Sequence, residues 1–583
     1  MFVPNDQHFQ MPMFSSISSL PEKILKRLEA SWAGTFYREI FVRIDEKVFA
    51  VLYSDEASRP NTPVNVLVGL EILKSGFGWS DEEMYDHFCY DVQVRYALGY
   101  RDLSVGHFEL RTTYNFRGRV TQHMQETGEN LIEQVFEQIT DEQIAAFELK
   151  TDKLRMDSTM IASNIRKMTR LQLLVEVLQR VHRMLDETDQ QRYAEAFEPF
   201  LKGSSGQYIY HLKGEDVTEH LQRIGELMGR LVDELATGYS EEPAHRVLHR
   251  VFQEHFIVDE ASLRPKEGKE LSANSLQSPD DWEATYRQKR GEGYKGYVVN
   301  ATETCNPENE LQLIVKVQTE PNNTDDAAML DEALPDLKER TGVEQMNTDG
   351  GYNSPDVDQT MRELGVEQVQ SAIRGRKPSE EKLGLEDFGW ELDADGKPQT
   401  VTCPNGQQAE VTAGRKEHRY RAAFDAADCE SCSFCDSCPT LPLKCTPERV
   451  LRFSQQDIEV ALRRQRTADA HASGQNLRAA VEATVRSIKH PFGNGKVPVR
   501  GQPRVSIVML GSAAMSNLRR IHRYLVGQEE AKRAKTSDEN EARRGQQVPG
   551  GSLFPSFLVP SRNSLRLISR LMRPLQPIPA HGA

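Results

Sequence analysis

The sequence lacks a long uninterrupted run of apolar residues. The longest candidate, residues 505–515, is interrupted by Ser506, Gly511 and Ser512 and is much shorter than the roughly 20 residues that cross a bilayer. The opening residues, MFVPNDQHFQMPMF, contain neither the basic nor the apolar region of a secretory signal. Together with 27% charged residues and a mean hydropathy of -0.59, these absences exclude membrane spanning as the main role and predict a cytoplasmic location.

An overall positive charge is also missing. The net charge of -15 argues against a uniformly basic nucleic-acid binder. Residues 461–523 nevertheless contain twelve Lys or Arg residues, against only Asp469 and Glu482. This segment could bind a polyanion, or it could be a solvated face that pairs with the acidic remainder; charge alone leaves both interpretations open.

Cysteine is scarce, and its distribution is uneven. Six of the eight cysteines fall in one short region: Cys403, Cys429, Cys432, Cys435, Cys438 and Cys445. In a reducing compartment, such clustering indicates metal binding more often than disulfides. Six thiols exceed the four ligands of a structural zinc, so we predict one Zn²⁺ held by four of them. An iron-sulfur cluster is the alternative, because the C-x-x-C repeats partly match ferredoxin spacing, and unligated thiols are the third interpretation.

The length of 583 residues predicts three to five structural units. Pattern changes along the chain place their boundaries as follows: a helical N-terminal domain for DNA binding or dimerisation at 1–150; the first part of an α/β domain at 151–380, with a helical insertion at about 166–285; a Cys-rich insertion at 381–446; the last part of the α/β domain at 447–527; and a largely disordered tail at 528–583.

Capping signals are clearest in the N-terminal part. Thr62 is predicted as an N-cap, Pro63 as the first helical residue and Gly76 as the stop. Ser80 and Glu83 have the spacing of a capping box for the next helix.

The segment from 149 onward predicts a mixed sheet. The strand LKTDKLRMDSTMIAS is followed, after the helical insertion, by the strands GYKGYVVNATET and LQLIVKVQTE. A helix at 325–340, the strand VEQMNTD, a short helix after Pro355 and the strand VEQVQSA complete an α/β unit. A helical stretch from about Gln455 through QNLRAAVEATVRSIKH follows the Cys-rich segment.

Three acids have settings that suit catalysis. Asp157 and Asp349 end predicted strands, and Glu482 is a lone acid in a basic helix. Carboxylates so placed can hold two Mg²⁺ about 3.5 to 4 Å apart and stabilise both oxygens of a phosphodiester displacement. Each acid also has a structural alternative: a strand-end cap, an Asp-Gly turn and an ion pair along a helix.

The combination resembles bacterial insertion-sequence transposases of the DDE type. Their third motif is Tyr, two residues, Arg, three residues, Glu, six residues and Lys, which Arg478, Glu482 and Lys489 match; Gln475 stands at the Tyr position. The segments RMDST, DGGY and SPDDWEATYRQKRGEGYKGY also resemble that family, as does the N-terminal RPNTPVNVLVGLEILKSGFGWSDEEMYDHF.

The resemblance implies an α+β or α/β, RNase H-like catalytic domain in which Asp157, Asp349 and Glu482 bind two Mg²⁺, or Mn²⁺. It implies hydrolysis that frees the element's 3′ end, followed by strand transfer to target DNA. Arg478, Arg486 and Lys489 are the expected DNA contacts. The expected partners are double-stranded DNA of the element ends and target, and further copies of the chain in a homodimer or larger assembly.

Two other function classes remain. A domesticated DNA-binding regulator would keep the fold without cleavage, although the presence of all three acids favours the enzyme. A metal-binding interaction protein built on the Cys cluster would leave the α/β region unexplained.

Overall fold

The computed structural model describes residues 1–6, 8, 15–54, 56, 59–210, 212–259, 262–289, 291–371, 381–393, 396–444, 446–472 and 477–545. Internal contacts divide the chain into two units, Met1–Tyr524 and Leu525–Ala583. In the second unit, the described part is helical.

The N-terminal part is helical, as predicted. Its helices are α1 (Glu22–Glu29), α2 (Trp32–Glu39), α3 (Val64–Phe77), α4 (Asp81–Tyr90), α5 (Val92–Ala97), α6 (Leu110–Thr127) and α7 (Leu131–Ala146). The capping box of Ser80 and Glu83 at the start of α4 is confirmed.

The predicted limits of α3 are wrong by one or two residues. Pro63, not Thr62, is the N-cap, and the helix ends at Phe77, followed by the C-cap Gly78, whose φ of 74° is left-handed. Gly76 lies inside the helix because it serves packing: a Cβ there would stand 2.1 Å from Met515 Cγ.

Strand β1 (Lys153–Ala162) leads into the helical insertion. The insertion contains α8 (Arg170–Met184), α9 (Glu187–Arg192), α10 (Ala194–Leu201), α11 (Ser205–Tyr210), α12 (Val217–Glu234), α13 (Ala236–Tyr239) and α14 (Pro243–His255), followed by a hairpin of β2 (Phe256–Asp259) and β3 (Ser262–Pro265). Leucines and valines of α8, α12 and α14 form a hydrophobic core of their own. The insertion is therefore packed internally rather than spread over the sheet.

The central sheet is mixed. Its remaining members are β4 (Thr285–Lys289), β5 (Glu292–Thr304), β6 (Ile314–Pro321), β7 (Gln345–Thr348) and β8 (Glu367–Gln370), with α15 (Asp326–Thr341) and α16 (Pro355–Leu364) between strands. The order is β4-β5-β1-β7-β8, with β6 also on β5. Strands β1, β4, β5 and β6 pair antiparallel, whereas β1–β7 and β7–β8 pair parallel. This arrangement is compatible with an RNase H-like fold.

The Cys-rich segment contains a second sheet, for which the sequence analysis predicted no strands. Its elements are β9 (Gly389–Leu392), β10 (Pro398–Thr402), β11 (Gln408–Ala413), β12 (Arg419–Asp425), α17 (Ala426–Glu430), β13 (Leu441–Pro442) and β14 (Glu448–Ser454). The strand order is β13-β14-β12-β11-β10-β9. Phe388, Phe424 and Phe453 lie in its core.

Three helices follow: α18 (Gln455–Ala472), α19 (Val481–Lys489) and α20 (Gln502–Gly545). The predicted continuous helical stretch is therefore interrupted: residues 477–480 form a turn before α19. Helix α20 extends to Gly545, into the segment where we expected a disordered tail; residues 546–583 lie outside the described residues. None of the helices in the described ranges has the length and apolar character needed to cross a membrane.

One hydrophobic core joins the two ends of the first unit. It combines apolar side chains of α2 to α7 with those of β5, β6, α19 and the first half of α20. Polar contacts at this junction include Asn130 Nδ2 to Ser506 Oγ, at 3.0 Å. The sheet face that carries α19 is thus fixed by helices from both ends of the sequence.

Candidate active site

The sheet brings Asp157 and Asp349 to the same height. Asp157 lies in the middle of β1 and not at its end, so the predicted strand-end position of Asp157 is wrong, whereas Asp349 directly follows β7 as predicted. Strands β1 and β7 run parallel, with Arg155 opposite Asn347. Asp157 and Asp349 each follow that pair by two residues, and side chains two apart on a strand share a face. Asp157 is mostly buried, with 13% of its side chain exposed, whereas 39% of the Asp349 side chain is exposed.

The turn after β7 fixes Asp349. Its Oδ1 accepts a hydrogen bond from Gly351 N at 2.6 Å. Tyr352, next in the chain, is buried, and its hydroxyl donates to Asn300 Oδ1 on β5 at 2.8 Å. The DGGY segment thus anchors the second acid to the sheet.

Glu482 comes from a different element. It lies in the first turn of α19, where a carboxylate is favoured by the positive end of the helix dipole. Helix α19 packs against β1, and 61% of the Glu482 side chain is exposed.

Arg478 joins the three acids. Its Nη2 lies 3.2 Å from Asp157 Oδ1 and 3.8 Å from Asp349 Oδ2, and its Nη1 lies 3.5 Å from Glu482 Oε1. Arg478 belongs to the turn before α19 rather than to the helix itself, and its side chain extends toward the middle of β1 and the turn after β7. The structure therefore gathers all three sequence-predicted acids around one guanidinium.

Burial dominates the electrostatics of Asp157. Desolvation raises the pKa of this carboxyl above its usual value, and the neighbouring Asp349 raises it further, while Arg478 opposes both. The site therefore has a surplus of negative charge that one guanidinium only partly neutralises.

A buried ion cluster positions this corner, and sequence reasoning missed it. The fully buried Glu303 on β5 contacts Arg155 Nε and Arg520 Nη1, both at 2.6 Å, and accepts a hydrogen bond from Thr484 Oγ1 on α19. Arg155 also donates to the carbonyl oxygen of Leu477 at 2.8 Å, one residue before Arg478. The sequence signal for this cluster is weak: Arg155 is one of several charged and polar residues of β1, two positions before Asp157.

Residues 402–522 match a family model described as a transposase DDE domain. The chain carries a transposase DDE domain. This match confirms the resemblance to DDE transposases; it includes Arg478 and Glu482, whereas Asp157, Asp349 and the N-terminal helices precede it. No curated protein and no solved structure matches the chain.

The three residues expected to contact DNA have different surroundings. Arg486 is exposed on α19. Lys489 Nζ donates to the carbonyl oxygen of Met160 at 2.8 Å, and burial lowers its pKa. Gln475, at the family's Tyr position, lies outside the described residues.

Part of the basic segment pairs internally. Arg463 binds Asp358, and Arg464 binds Glu386 at 3.0 Å. Several cations of residues 461–523 therefore pair with acidic residues of the same chain, which is one of the two interpretations of this segment. The exposed cations remain candidates for binding a polyanion.

Five cysteines of the second sheet line one small cavity of about 30 Å³: Cys403, Cys429, Cys432, Cys435 and Cys438. Burial raises the pKa of the Cys429 thiol, and Cys438, Cys403 and Cys432 add to this effect. All five are free thiols; Cys445 lies outside the described residues.

In the part of the chain that the structure describes, no group of three or more His, Cys, Asp or Glu side chains is arranged to hold a metal ion. At the acids, the contacts run to Arg478 rather than to a common point between carboxylates. Metal binding there would require this guanidinium to move.

Proposed function

We propose that this protein is an active DDE transposase that binds the ends of an insertion sequence, cleaves DNA there and joins the freed 3′ end to target DNA. Asp157, Asp349 and Glu482 are the proposed catalytic acids. The observation that carries this proposal is their convergence on Arg478, because the three come from a strand, the turn after another strand and a helix that are far apart in the sequence.

The donor set fits Mg²⁺. Three carboxylates offer hard oxygen ligands, and a cationic group already lies among them, which shows that the pocket favours positive charge. When bound, divalent metal supplies an activated nucleophile and stabilises the leaving oxygen of the phosphodiester.

The chain's own residues perform the other tasks. Arg478, once released from the carboxylates, can reach a phosphate beside the acids, and the exposed Arg486 presents a second cation on the same helix. The buried pair of Glu303 and Arg155 keeps α19 in register with β1. We propose that both arginines contact DNA backbone, and that Lys489, tied to β1, orients the helix end.

The direct test is Mg²⁺-dependent cleavage of a supercoiled plasmid that carries the native element ends. Wild type is compared with Asp349→Ala, Glu482→Ala and the control Asp356→Ala, an exposed acid just beyond the site. Cleavage at the ends by wild type and control alone supports the proposal. Binding without cleavage under Mg²⁺ or Mn²⁺ would favour the DNA-binding regulator.

We also propose a structural zinc in the second sheet, held by Cys403, Cys429, Cys432 and Cys438. Two of these sulfurs accept backbone N–H bonds, from Gln407 to Cys403 and from Phe434 to Cys432, both at 3.4 Å. Such bonds favour thiolate over thiol. The three neighbours whose charges affect Cys429 are the other proposed ligands, and Cys435 is not among them.

A further inference from the structure

A cavity of about 640 Å³ lies where the helical insertion meets the edge of the central sheet. Its wall includes Arg170 at the start of α8, His255 at the end of α14, Arg287 on β4 and Lys295 on β5. We call it the insertion cavity. It is formed by residues other than those of the candidate active site.

His255 is a residue of the cavity wall whose side-chain hydrogen-bonding groups are buried without a partner among the described residues. The residue is only 4% exposed, yet neither ring nitrogen has a hydrogen-bond partner in the described part of the protein. Burial, with Arg170 and Lys266 nearby, lowers its pKa to about 3, so the ring is neutral at physiological pH. A neutral imidazole has one donor and one acceptor, and leaving both unused in a buried site is costly.

The cations of the cavity are also unsatisfied. Arg170 donates to the carbonyl oxygens of Lys266 and His255, and its buried Nε has no partner. Lys295 donates to the carbonyl oxygen of Met168 at 3.0 Å. Neither cation forms an ion pair with a carboxylate among the described residues.

Acidic groups near the cavity do not offset this charge. Asp325 also lines the wall, but its side chain caps α15 by accepting from Ala327 N. Asp326 lies 3.8 Å from Arg287, which leaves Arg170 and Lys295 without a counter-ion. A ligand that accepts hydrogen bonds and carries negative charge would satisfy both cations and the imidazole N–H.

We propose that the insertion cavity binds a phosphate group of the DNA backbone. The proposal rests on the proposed function for the identity of its partner, and it gives the insertion a role: its base supplies a DNA contact separate from the catalytic acids. Arg170 and Lys295 provide charge, and His255 provides a hydrogen bond.

The test is the salt dependence of DNA binding by the full-length protein. The probe is a fluorescent double-stranded oligonucleotide with the native element end, and Kd is measured across KCl concentrations. Losing one phosphate contact reduces the slope of log K against log salt by about 0.9. We expect that reduction, with roughly 3- to 10-fold weaker binding, for Arg170→Gln and for Lys295→Gln.

Two further variants serve as a control and as a test of the hydrogen bond from His255. Lys269→Gln, an 81% exposed lysine beside the cavity wall, should leave affinity and slope unchanged. His255→Phe should weaken binding without changing the slope, because it removes a neutral hydrogen bond. Thermal unfolding of each variant verifies folding, and Lys295→Gln alone decides the test should Arg170→Gln unfold.

Wild-type slopes in every charge variant that folds would overturn the proposal. Adenosine 5′-monophosphate and inorganic phosphate are tested as alternative ligands: Lys295-dependent binding of either, with unchanged DNA slopes, would assign the cavity to a free phosphate and also overturn it. Plasmid cleavage separates this inference from the proposed function. If the variants change the salt slope but the wild-type protein binds DNA and never cleaves it, phosphate binding by the insertion cavity is supported and the proposed transposase activity is refuted.

Discussion

Glu303→Gln should destabilise the protein strongly, because this carboxylate is fully buried between two guanidiniums. The attraction of unit charges 2.6 Å apart is about 6 kcal/mol at an effective dielectric constant of 20. Desolvation offsets much of that energy, but removing one partner leaves Arg155 and Arg520 buried without their counter-ion. We expect a loss of about 3–5 kcal/mol in the free energy of unfolding.

The assay is urea unfolding followed by tryptophan fluorescence. The control is Glu308→Gln, which removes a surface ion pair with Lys150 in which 70% of the glutamate side chain is exposed; it should cost less than about 1 kcal/mol. Because Glu303 also accepts from Thr484 on α19, its variant should lose plasmid cleavage more than tenfold at temperatures where it remains folded. A loss below about 1 kcal/mol with an unchanged urea slope would refute the argument that burial makes this cluster indispensable.

Three other predictions concern metal and pH. Arg478→Gln should bind Mg²⁺ about tenfold more tightly than wild type without DNA, since no guanidinium must be displaced; equal magnesium-induced shifts in thermal midpoint, with Arg486→Gln as control, would contradict this. Burial raises the pKa of Glu320 to about 7. Because this carboxyl ionises at lower pH in the unfolded chain than in the folded protein, wild type loses stability as pH rises from about 4.5 to 7. The free energy of unfolding of Glu320→Gln, minus that of wild type, should therefore be about 1–2 kcal/mol larger at pH 8 than at pH 4. The same difference from wild type at both pH values would exclude the raised pKa of Glu320 as the cause. Purified protein should contain one zinc, lost in Cys432→Ser and kept in Cys435→Ser; neither zinc nor iron in wild type would remove both metal hypotheses.

Local patterns predicted the central sheet well. Strands β1, β5 and β6 and helix α15 lie within a few residues of their expected limits, because alternation and capping are properties of short segments. The second sheet was not predicted. Its strands are mostly four to seven residues long, which is too short for a clear alternation of apolar and polar residues, and they lie in the Cys-rich segment. Residues 285–289 were likewise missed as an edge strand.

Chemistry that depends on tertiary contacts could not be predicted in the same way. The motif spacing gave Arg478 a place one helical turn before Glu482, but only the fold shows that it also reaches Asp157 and Asp349. The cluster around Glu303 joins β1, β5, α19 and α20, and no local pattern relates those positions.

The core that joins the N-terminal helices to α19 and α20 also determines when the candidate active site can be complete during synthesis. Ribosomes produce about 5–20 residues per second. Asp157 is therefore made roughly 20–70 s before Ile521, the last residue of α20 that is buried among the described residues. Until then Glu482 has no completed helix support, and Asp157 and Asp349 remain two acids of an unfinished sheet. The proposed DNA cleavage is consequently expected only after α20 has been made, because a product truncated before α20 would lack the packing that holds Glu482 in place.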